Sequence, residues 1–291
     1  MAAAQGFASR LGIHTADPVT VEYEFIRESL VLTEEFVESE GIRGTRSHPK
    51  EAVRQGVRRV GGSIEMRPNP VQLAVLLPHI LGLAASGTTF ALGDTFSDLY
   101  ITIDRVLKVF TYSGCKIDKC RFKGGPGQPL NMTLDILGID ESVGNAGTFP
   151  SLSIDLTTSF FMFSDLAMTI AGDTVLCKDF DLLIDNNLDP ERIFNALVRT
   201  SIPAQDRMVT FTTSVPYGDY SAKYGTGVAG VAVVGTFTNG ATSLVFTMPA
   251  VQFPRVSPQV DGKSEIMLSL TGMARKSSST AELTLTLDST P

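Results

Sequence analysis

Hydrophobic and polar residues alternate along most of the chain beyond about residue 94, in short segments separated by Gly, Pro, Asn and Asp. A period of two is typical of β-strands that have one buried and one exposed face. The clearest case is the C-terminal segment, where Leu283, Leu285 and Leu287 share one face and threonines occupy the other. The pattern predicts a mainly β chain, with strands at residues 99–112, 130–139, 208–215, 242–248, 266–270 and 280–288.

Two segments have helical periodicity, and each begins with the same start signal. An Asn or Asp suited to the N-cap is followed directly by proline, at Asn69-Pro70 and at Asp189-Pro190. Hydrophobic residues then recur at intervals of three and four, which places them on one face of a helix. The sequence thus predicts two short amphipathic helices packed on a sheet, with apolar faces formed by Leu73, Leu76, Leu77 and Ile80 in the first and by Ile193, Leu197 and Val198 in the second.

The two predicted helices also align as an internal repeat. SIEMRPNPVQLAVLL matches LIDNNLDPERIFNAL at a constant offset of 120 residues, which pairs Pro70 with Pro190. A second echo pairs residues 110–138 with residues 246–272 at offsets of 136 and 134. The larger offset predicts an insertion in the second copy, for which the Gly- and Tyr-rich residues 215–235 are the candidate. Chance similarity between short apolar patterns is the alternative explanation.

The repeat indicates how the chain is divided. We expect an N-terminal arm at residues 1–40, a first β unit at 41–149, and a second unit at 150–291 that contains the inserted loop at about 215–235. The Gly- and Asn-rich segment 141–150 marks the boundary between the units. The predicted fold is therefore mainly β, with two related β-sandwich or barrel units, each flanked by one short helix.

Composition limits the classes of protein. The 291 residues are 43% hydrophobic and 19% charged, as is typical of a folded chain. A net charge of −7 argues against a protein that wraps nucleic acid through its phosphates. Three cysteines are too few for a disulfide framework and suit a reducing cytoplasm. The longest apolar stretch, residues 71–85, is too short to span a membrane, and the N-terminus does not resemble an export signal.

Motifs for catalysis or metal binding are weak throughout the sequence. Cys115 and Cys120 are spaced as in a metal loop, but Cys177 is the single further thiol and no histidine lies near it in the sequence. Acid and base partners are also missing near each of the three histidines, His14, His48 and His79. We therefore predict no catalytic residue, no cofactor and no metal, and a chain that is not an enzyme.

Charge is distributed unevenly between the two copies. Residues 43–67 contain seven basic and two acidic side chains, a local net charge of +5, whereas residues 163–187 contain five aspartates and one lysine, a net charge of −4. Opposite charge at matching places in related units favours head-to-tail assembly, and two unrelated solvated surfaces are the alternative. The candidate subunit-contact residues are Arg43, Arg46, Arg54, Arg58 and Arg59 on the basic side, Asp173, Asp179, Asp181 and Asp185 on the acidic side, and the tyrosine cluster Tyr217, Tyr220 and Tyr224.

Three segments of the chain resemble a known family. They are GIRGTRSHPKEAVRQGVRRVGGSIEMRPNPVQLAVLLPHILG at residues 41–82, TYSGCKIDKCRFKGGPGQPLNMTLDILG at 111–138, and the run at 237–274. Their pattern of strands, glycines and one helix is similar to the major tail tube proteins of long-tailed (siphovirus-like) bacteriophages. The resemblance implies a β-sandwich or barrel with a flanking helix, whose subunits join their sheets around a ring. It also implies that rings stack into a hollow tube for the genome, with loops and terminal arms as the contacts between rings.

An acidic, duplicated β chain without enzyme motifs suits such a building block. We expect a structural virion protein of the phage tail, made in the host cytoplasm. Its expected partners are further copies of itself, as a trimeric ring with pseudo-sixfold symmetry in preference to a hexamer, and other tail proteins such as tape measure and terminator proteins. DNA is expected only in passage, without specific binding, and no membrane is expected. The alternative function is a monomeric ligand- or carbohydrate-binding β-sandwich module, for which the lack of tryptophan is unfavourable.

Overall fold

The computed structural model describes residues 5–82, 85–155, 158–220, 229–260, 262–277 and 280–289, and strands dominate them, which confirms the mainly β prediction. The elements of the first half are β1 Arg10–His14, β2 Glu22–Tyr23, β3 Arg27–Glu28, β4 Val31–Glu38, β5 Val53–Met66, α1 Pro70–Leu81, β6 Thr89–Ala91, β7 Leu99–Asp104, β8 Lys108–Gly124, β9 Asn131–Gly138 and β10 Asp140–Asn145. Those of the second half are β11 Leu166–Ile170, β12 Asp173–Val175, β13 Phe180–Asp185, β14 Met208–Pro216, α2 Tyr217–Tyr220, β15 Val231–Asn239, β16 Thr242–Gln252, β17 Met267–Arg275 and β18 Thr284–Asp288.

The strands of the first half are connected by a series of antiparallel pairs. β1 pairs with β2 and with β7, and β7 forms a hairpin with β8. The first part of β8 pairs with β10, and its second part pairs with β9. β9 in turn pairs with β5, which forms a hairpin with β4 and also pairs with β3. Because β8 is 17 residues long, it belongs to both groups of strands and holds them together.

The second half repeats seven of these eight pairs, and the β3–β5 pair has no separate counterpart in the described residues. β11 pairs with β12 and with β15, and β15 forms a hairpin with β16. The first part of β16 pairs with β18 and its end pairs with β17, which continues through β14 to β13. The two halves are therefore related units, as predicted. Buried positions in the two long strands match at a constant offset of 136 residues: Tyr112, Cys115 and Ile117 in β8, and Met248, Val251 and Phe253 in and just beyond β16.

The structure corrects the register of the first echo. β5 lies between β4 and β9, and β14 occupies the same place between β13 and β17. The counterpart of β5 is therefore β14 and not β13, so the alignment of Pro70 with Pro190 is wrong. The counterpart of α1 begins at α2, a single turn, and residues 221–228 after it lie outside the described part. Of the predicted inserted loop, residues 215–216 and 231–235 belong to β14 and β15.

The second predicted helix is also wrong. Residues 189–200 are irregular, although Asp189 does accept a hydrogen bond from the Glu191 N–H at 3.0 Å, as an N-cap would. Asn195 has a left-handed backbone with a φ of 47°, which a right-handed helix does not accommodate. The carbonyl of Leu197 accepts a hydrogen bond from the Arg58 N–H at 2.7 Å. Tertiary hydrogen bonds to the first half have thus overridden the local helical periodicity.

α1 forms where the sequence predicts it and is capped at both ends. Asn69 Oδ1 accepts a hydrogen bond from the Val71 N–H at 2.8 Å, and proline occupies the first helical position. Gly82 ends the helix with a φ of 77°, and a Cβ added there would lie 2.9 Å from the carbonyl oxygen of Gly93. The buried face of α1, which includes Leu77, contacts β6, β8, β16 and β18. The helix therefore packs on strands of both halves.

The N-terminal segment is part of the folded body rather than a free arm. β1 pairs with β7 along its whole length, and Leu11 and Ile13 are buried in the core. Arg10 donates a hydrogen bond from Nε to Glu22 Oε1 at 2.8 Å and stacks over the ring of Phe149, 4.4 Å from its centroid. Burial of these apolar side chains favours the docked position of β1. The division of the chain at residues 40 and 149 stays a prediction.

Strand pairs and a shared core join the two halves. Residues 119–124 of β8 pair with β13 along its whole length, and β18 pairs with β6. Phe122 of the first half contacts Phe246 of the second edge to face, with ring centroids 5.1 Å apart. Phe180 also lies against Phe246, with a centroid distance of 5.3 Å. One hydrophobic core therefore extends through both units.

Arg199 fastens the irregular loop at 189–200 to the first half. Its Nη1 donates hydrogen bonds to the carbonyl of Val60 at 2.6 Å and to that of Gly138 at 2.7 Å, and its Nε donates to the carbonyl of Pro190 at 2.6 Å. The residue is only 4% exposed, and burial lowers the pKa of its guanidinium. Three carbonyls therefore depend on one buried cation for their hydrogen bonds.

We expect Arg199→Met to lower the free energy of unfolding by about 2–4 kcal/mol, because buried carbonyls lose their charged donor. Urea denaturation followed by circular dichroism measures this change. Arg192→Met is the control, since Arg192 lies on the same loop but is exposed, and its effect should stay below about 0.5 kcal/mol. Equal losses of stability in the two variants would contradict the assigned role of Arg199.

Candidate assembly surface

The cysteines and histidines do not form a chemical centre in the described residues. No group of His, Cys, Asp and Glu side chains within those ranges is placed to hold a metal ion. Cys115 and Cys120 are fully buried, and burial raises the pKa of both thiols. Burial also lowers the pKa of His79, with a smaller contribution from the charge of His14. Because a neutral buried thiol is a poor nucleophile and metal ligand, these two cysteines serve to pack the core.

Three of the predicted contact residues lie at the exposed end of the β4–β5 hairpin, two in the connection and one at the start of β5. Arg43 and Arg46 lie within residues 39–51, every one of which is exposed. Arg43 donates a hydrogen bond from Nη2 to the carbonyl of Ser39 at 2.7 Å. Arg54 follows at the start of β5 and is also exposed. These three guanidinium groups are therefore at the accessible end of the β4–β5 hairpin.

Arg58 and Arg59 have partners within the chain. Arg58 Nη1 lies 3.4 Å from Asp140 Oδ1. Arg59 forms ion pairs with Glu35 on β4 and with Glu191 of the second half, the latter at 2.9 Å from Nη2 to Oε2. Hydrogen bonds to Glu191 and Glu35 raise the pKa of Arg59. These two predicted contact residues thus connect parts of one chain.

Two of the predicted aspartates on β13 bind cations on the neighbouring strand β8. Asp181 makes a two-point contact with the guanidinium of Arg121, in which Arg121 Nε lies 2.7 Å from Oδ1. Lys119 Nζ lies 2.7 Å from Asp185 Oδ2, and this hydrogen bond raises the pKa of Lys119. The acidic window and the basic strand β8 therefore neutralise each other across the junction between the halves.

The remaining predicted aspartates have different surroundings. Asp179 accepts hydrogen bonds from the N–H of Ser214 at 2.8 Å and from its hydroxyl at 2.7 Å. Asp173 is exposed at the start of β12. The predicted basic and acidic residues thus have other partners within the chain: Arg58 and Arg59 pair with carboxylates outside residues 163–187, and Asp181 and Asp185 pair with cations of β8. A role of the whole set in subunit contacts stays a prediction.

The predicted tyrosine cluster is described only in part. Tyr217 begins α2, is half-buried against the core, and donates its backbone N–H to the carbonyl of Ile266 at 2.9 Å. The side chain of Tyr220 and the whole of Tyr224 lie outside the described residues. Tyr217 is therefore a packing residue rather than part of an exposed aromatic platform.

The β4–β5 hairpin exposes hydrophobic side chains that the sequence analysis did not single out. Phe36 is 70% exposed, Val37 59% and Ile42 103%, and seven of the eight residues of β4 are exposed. A soluble monomer seldom leaves such a group of apolar side chains in water. A sequence signal for this strand was present, since residues 31–38, VLTEEFVE, are rich in residues that favour strands.

The sheet that crosses between the halves has a polar outer face, which sequence analysis also missed. Its strand order is β5-β9-β8-β13-β14-β17. Hydrophobic residues alternate into the core, while hydroxyl and charged residues point away from it. Thr212 donates a hydrogen bond to Thr271 across two of these strands at 3.2 Å. The face includes Ser63, Arg121, Thr133, Asp135, Asp181, Thr212, Ser214 and Thr271.

Comparison with known proteins agrees with this architecture. A family model of phage tail tube proteins matches residues 6–274, which include the first half, the β4–β5 hairpin and the second half as far as β17. No curated protein matches the chain significantly. Within the described ranges, no helix has the length and apolar character needed to cross a membrane. Because the family model covers nearly the whole chain, the protein belongs to the phage tail tube protein family and is a structural component of the virion tail.

Proposed function

We propose that copies of this chain form rings that stack into the hollow tube of the phage tail, and that three chains close each ring. The supporting observation is that seven strand pairs of the first half recur in the same order in the second half. If six similar β units close a ring, three chains supply them, with true threefold and approximate sixfold symmetry. The rival arrangement is a ring of six chains, in which the second unit lies outside the tube wall.

The polar face of the sheet β5-β9-β8-β13-β14-β17 suits the wall of the bore. The opposite face of this sheet is covered by the core, α1 and the remaining strands. In a closed ring there is more room outside the sheet than inside it, so these layers fit on the outside and the polar face points inward. Arg121 and Lys119 lie on the polar face, but each is neutralised by an aspartate of β13. Such a wall offers few free cations to phosphates, so DNA passes without being bound.

The exposed end of the β4–β5 hairpin suits contact between stacked rings. Its apolar residues Phe36, Val37 and Ile42 are candidates for burial against the next ring, with Arg43 and Arg46 at the polar rim. Other tail proteins, such as tape measure and terminator proteins, remain predicted partners. The chain acts in this proposal as a non-enzymatic building block.

Electron microscopy of the purified protein tests the ring and tube. We expect tubes or rings whose cross-sections have threefold symmetry with six similar lobes. Size-exclusion chromatography across a range of concentrations supplements the images. A monomer of 31.2 kDa at every concentration would contradict assembly and favour a ligand-binding module, whereas six equivalent chains per ring would contradict the trimer.

Removal of the carboxylates that neutralise Lys119 and Arg121 on the polar face should make assembled tubes bind DNA. In Asp181→Asn/Asp185→Asn, Arg121 and Lys119 lose their carboxylates, and we expect the tubes to bind short duplex DNA at least about tenfold more tightly at low salt. Co-sedimentation with tubes measures this binding. Glu24→Gln/Asp206→Asn changes the net charge equally at exposed sites elsewhere and serves as the control. Equal DNA binding by both variants would show that the polar face does not line the bore.

Polar substitution in the hairpin should impair stacking without unfolding the chain. Phe36→Ser/Ile42→Ser changes side chains that are 70% and 103% exposed, so Tm should shift by no more than about 3 °C. We expect rings or short stacks instead of long tubes in electron micrographs. Leu107→Ser/Phe194→Ser removes exposed apolar groups elsewhere and should leave tube length unchanged. Tubes of normal length from the hairpin variant would contradict this role.

A further inference from the structure

The β8–β13 pair between the halves has no counterpart in the described residues. Seven strand pairs of the first half recur in the second, but residues 119–124 of β8 pair in addition with β13 of the second half. This junction sets Leu183 opposite Arg121, and it joins the two units into one sheet. The counterparts of these two strands are β4, which corresponds to β13, and the segment that follows β16, which corresponds to the end of β8. In the described residues these two counterparts do not pair with each other.

β4 is the counterpart of β13. Each pairs with the strand that precedes a helix: β4 pairs with β5, which precedes α1, and β13 pairs with β14, which precedes α2. The strand pairs fix the register. Gly61 lies opposite Leu137 as Thr210 lies opposite Met273, and Leu137 and Met273 correspond at the offset of 136 residues. Val31 lies opposite Gly61, and Leu183 lies opposite Thr210. Val31 therefore corresponds to Leu183. In the described residues β5 is the single strand partner of β4, so the other edge of β4 is open.

Residues 255–260 are the counterpart of residues 119–124. The offset of 136 residues that matches the buried positions of β8 and β16 places Ser257 at the position of Arg121. No strand is assigned to residues 253–260, although polar and apolar residues alternate there as in a strand. Val256 is 56% exposed and Val260 72% exposed, at positions that correspond to Cys120 and Gly124.

Residues 255–260 lie beside an open groove, whereas the corresponding residues of β8 have a strand on each side. In the first half, residues 119–123 of β8 are paired with β9 on one side and with β13 on the other. In the second half, a groove of about 780 Å³ separates residues 256–259 from Met267 and Ser269 of β17. A strand added along residues 255–260 would draw the segment into the sheet.

We propose that β4 of one chain pairs antiparallel with residues 255–260 of a second copy, and that this pair repeats between chains the β8–β13 junction found within the chain. The inference rests on the proposed ring and names its contact. In the derived register Val31 lies opposite Ser257 and Leu32 opposite Val256. Leu32 and Val256 then cover each other on the core side, as apolar cross-strand neighbours do.

Charge supports the same orientation. Within the chain, Asp185 at the end of β13 lies beside Lys119. Between chains, Thr33 lies opposite Arg255 at the start of the partner segment, and Glu34 comes next to this arginine. Parallel addition would instead place Glu34 by the apolar Val260. Opposite charges at the strand ends fix register more than they add stability.

Two prolines limit how the segment can pair. Within the chain, the Asn186 N–H donates a hydrogen bond to the carbonyl of Asp118 at 2.8 Å, so alternate residues from Asp118 onward face β13. The offset of 136 residues then places Pro254 and Pro258, which lack backbone N–H groups, on the edge that faces the partner strand. Val256 lies between them and faces the partner with both its N–H and its carbonyl. Prolines are common devices against unintended pairing of strand edges, so this edge is a poor template for other strands.

Disulfide trapping tests the register. Val31→Cys and Ser257→Cys are made singly in a Cys177→Ser background, since the other two cysteines are buried. Mixed, assembled and oxidised, the two single variants should form a covalent dimer, because directly opposite residues have Cβ atoms about 4.5–5.5 Å apart. The combined variant Val31→Cys/Ser257→Cys should form a ladder that ends at the closed trimer. Val31→Cys with Gln259→Cys, two residues out of register, is the matched control and should cross-link at least about fivefold less.

Hydrogen exchange of the unmodified protein provides an independent measurement. Amides of residues 31–35 and 255–260 should exchange at least about tenfold more slowly in tubes than in monomers. Tubes that form without this protection and without the Val31–Ser257 cross-link would overturn the inference and leave the tube function intact. A dimer from Val31→Cys alone would likewise overturn it, since β4 would then pair with itself. Failure of the unmodified chain to form rings or tubes would instead contradict the proposed function.

Discussion

Every strand has two edges of backbone N–H and C=O groups, and the structure follows from how those edges are satisfied. β8 is the central case, because its 17 residues serve two sets of neighbours. Its first part pairs with β7 and β10, and its second part lies between β9 and β13. The same strand therefore completes the first unit and attaches the second. Removal of any one of these neighbours would leave a row of unpaired groups within the folded body, at a cost in free energy for each buried group.

Local patterns in the sequence were sufficient for most strands and for one helix. The alternation of Leu283, Leu285 and Leu287 reports directly which face of β18 is buried. α1 was predictable because Asn69, proline and a later glycine give consistent local signals. The second predicted helix shares the same start signal at Asp189 but lacks support from its tertiary surroundings. There Arg199 takes the carbonyls of Val60 and Gly138, and this long-range geometry leaves no trace in a short sequence window.

The charge windows show a similar limit. Counts of Arg and Asp in the sequence identify complementary surfaces, but they do not say whether the surfaces meet within one chain or between two. The structure places Asp181 against Arg121 and Glu191 against Arg59, so residues of each window are paired with residues outside the other window, and these charges stabilise the folded chain. The sites that sequence reasoning missed, the hairpin residues and the polar sheet face, depend on strand order. The polar face can be recognised only once β8 is known to pair with β13, and the hairpin residues only once β4 is known to pair with β5.

Duplication within one chain changes the energetics of the proposed ring. The β8–β13 junction forms as the chain folds, because its two strands are held at high effective concentration by the residues between them. The corresponding junction between chains lacks that tether and depends on protein concentration, on the loss of rotational and translational freedom, and on ordering of the segment around Val256. In the proposed ring of three chains, three β8–β13 junctions within chains alternate with three junctions between chains. The junctions within chains stay formed as long as each chain is folded, so half of the strand junctions of the ring exist before assembly begins. Ring formation therefore depends on the three junctions between chains.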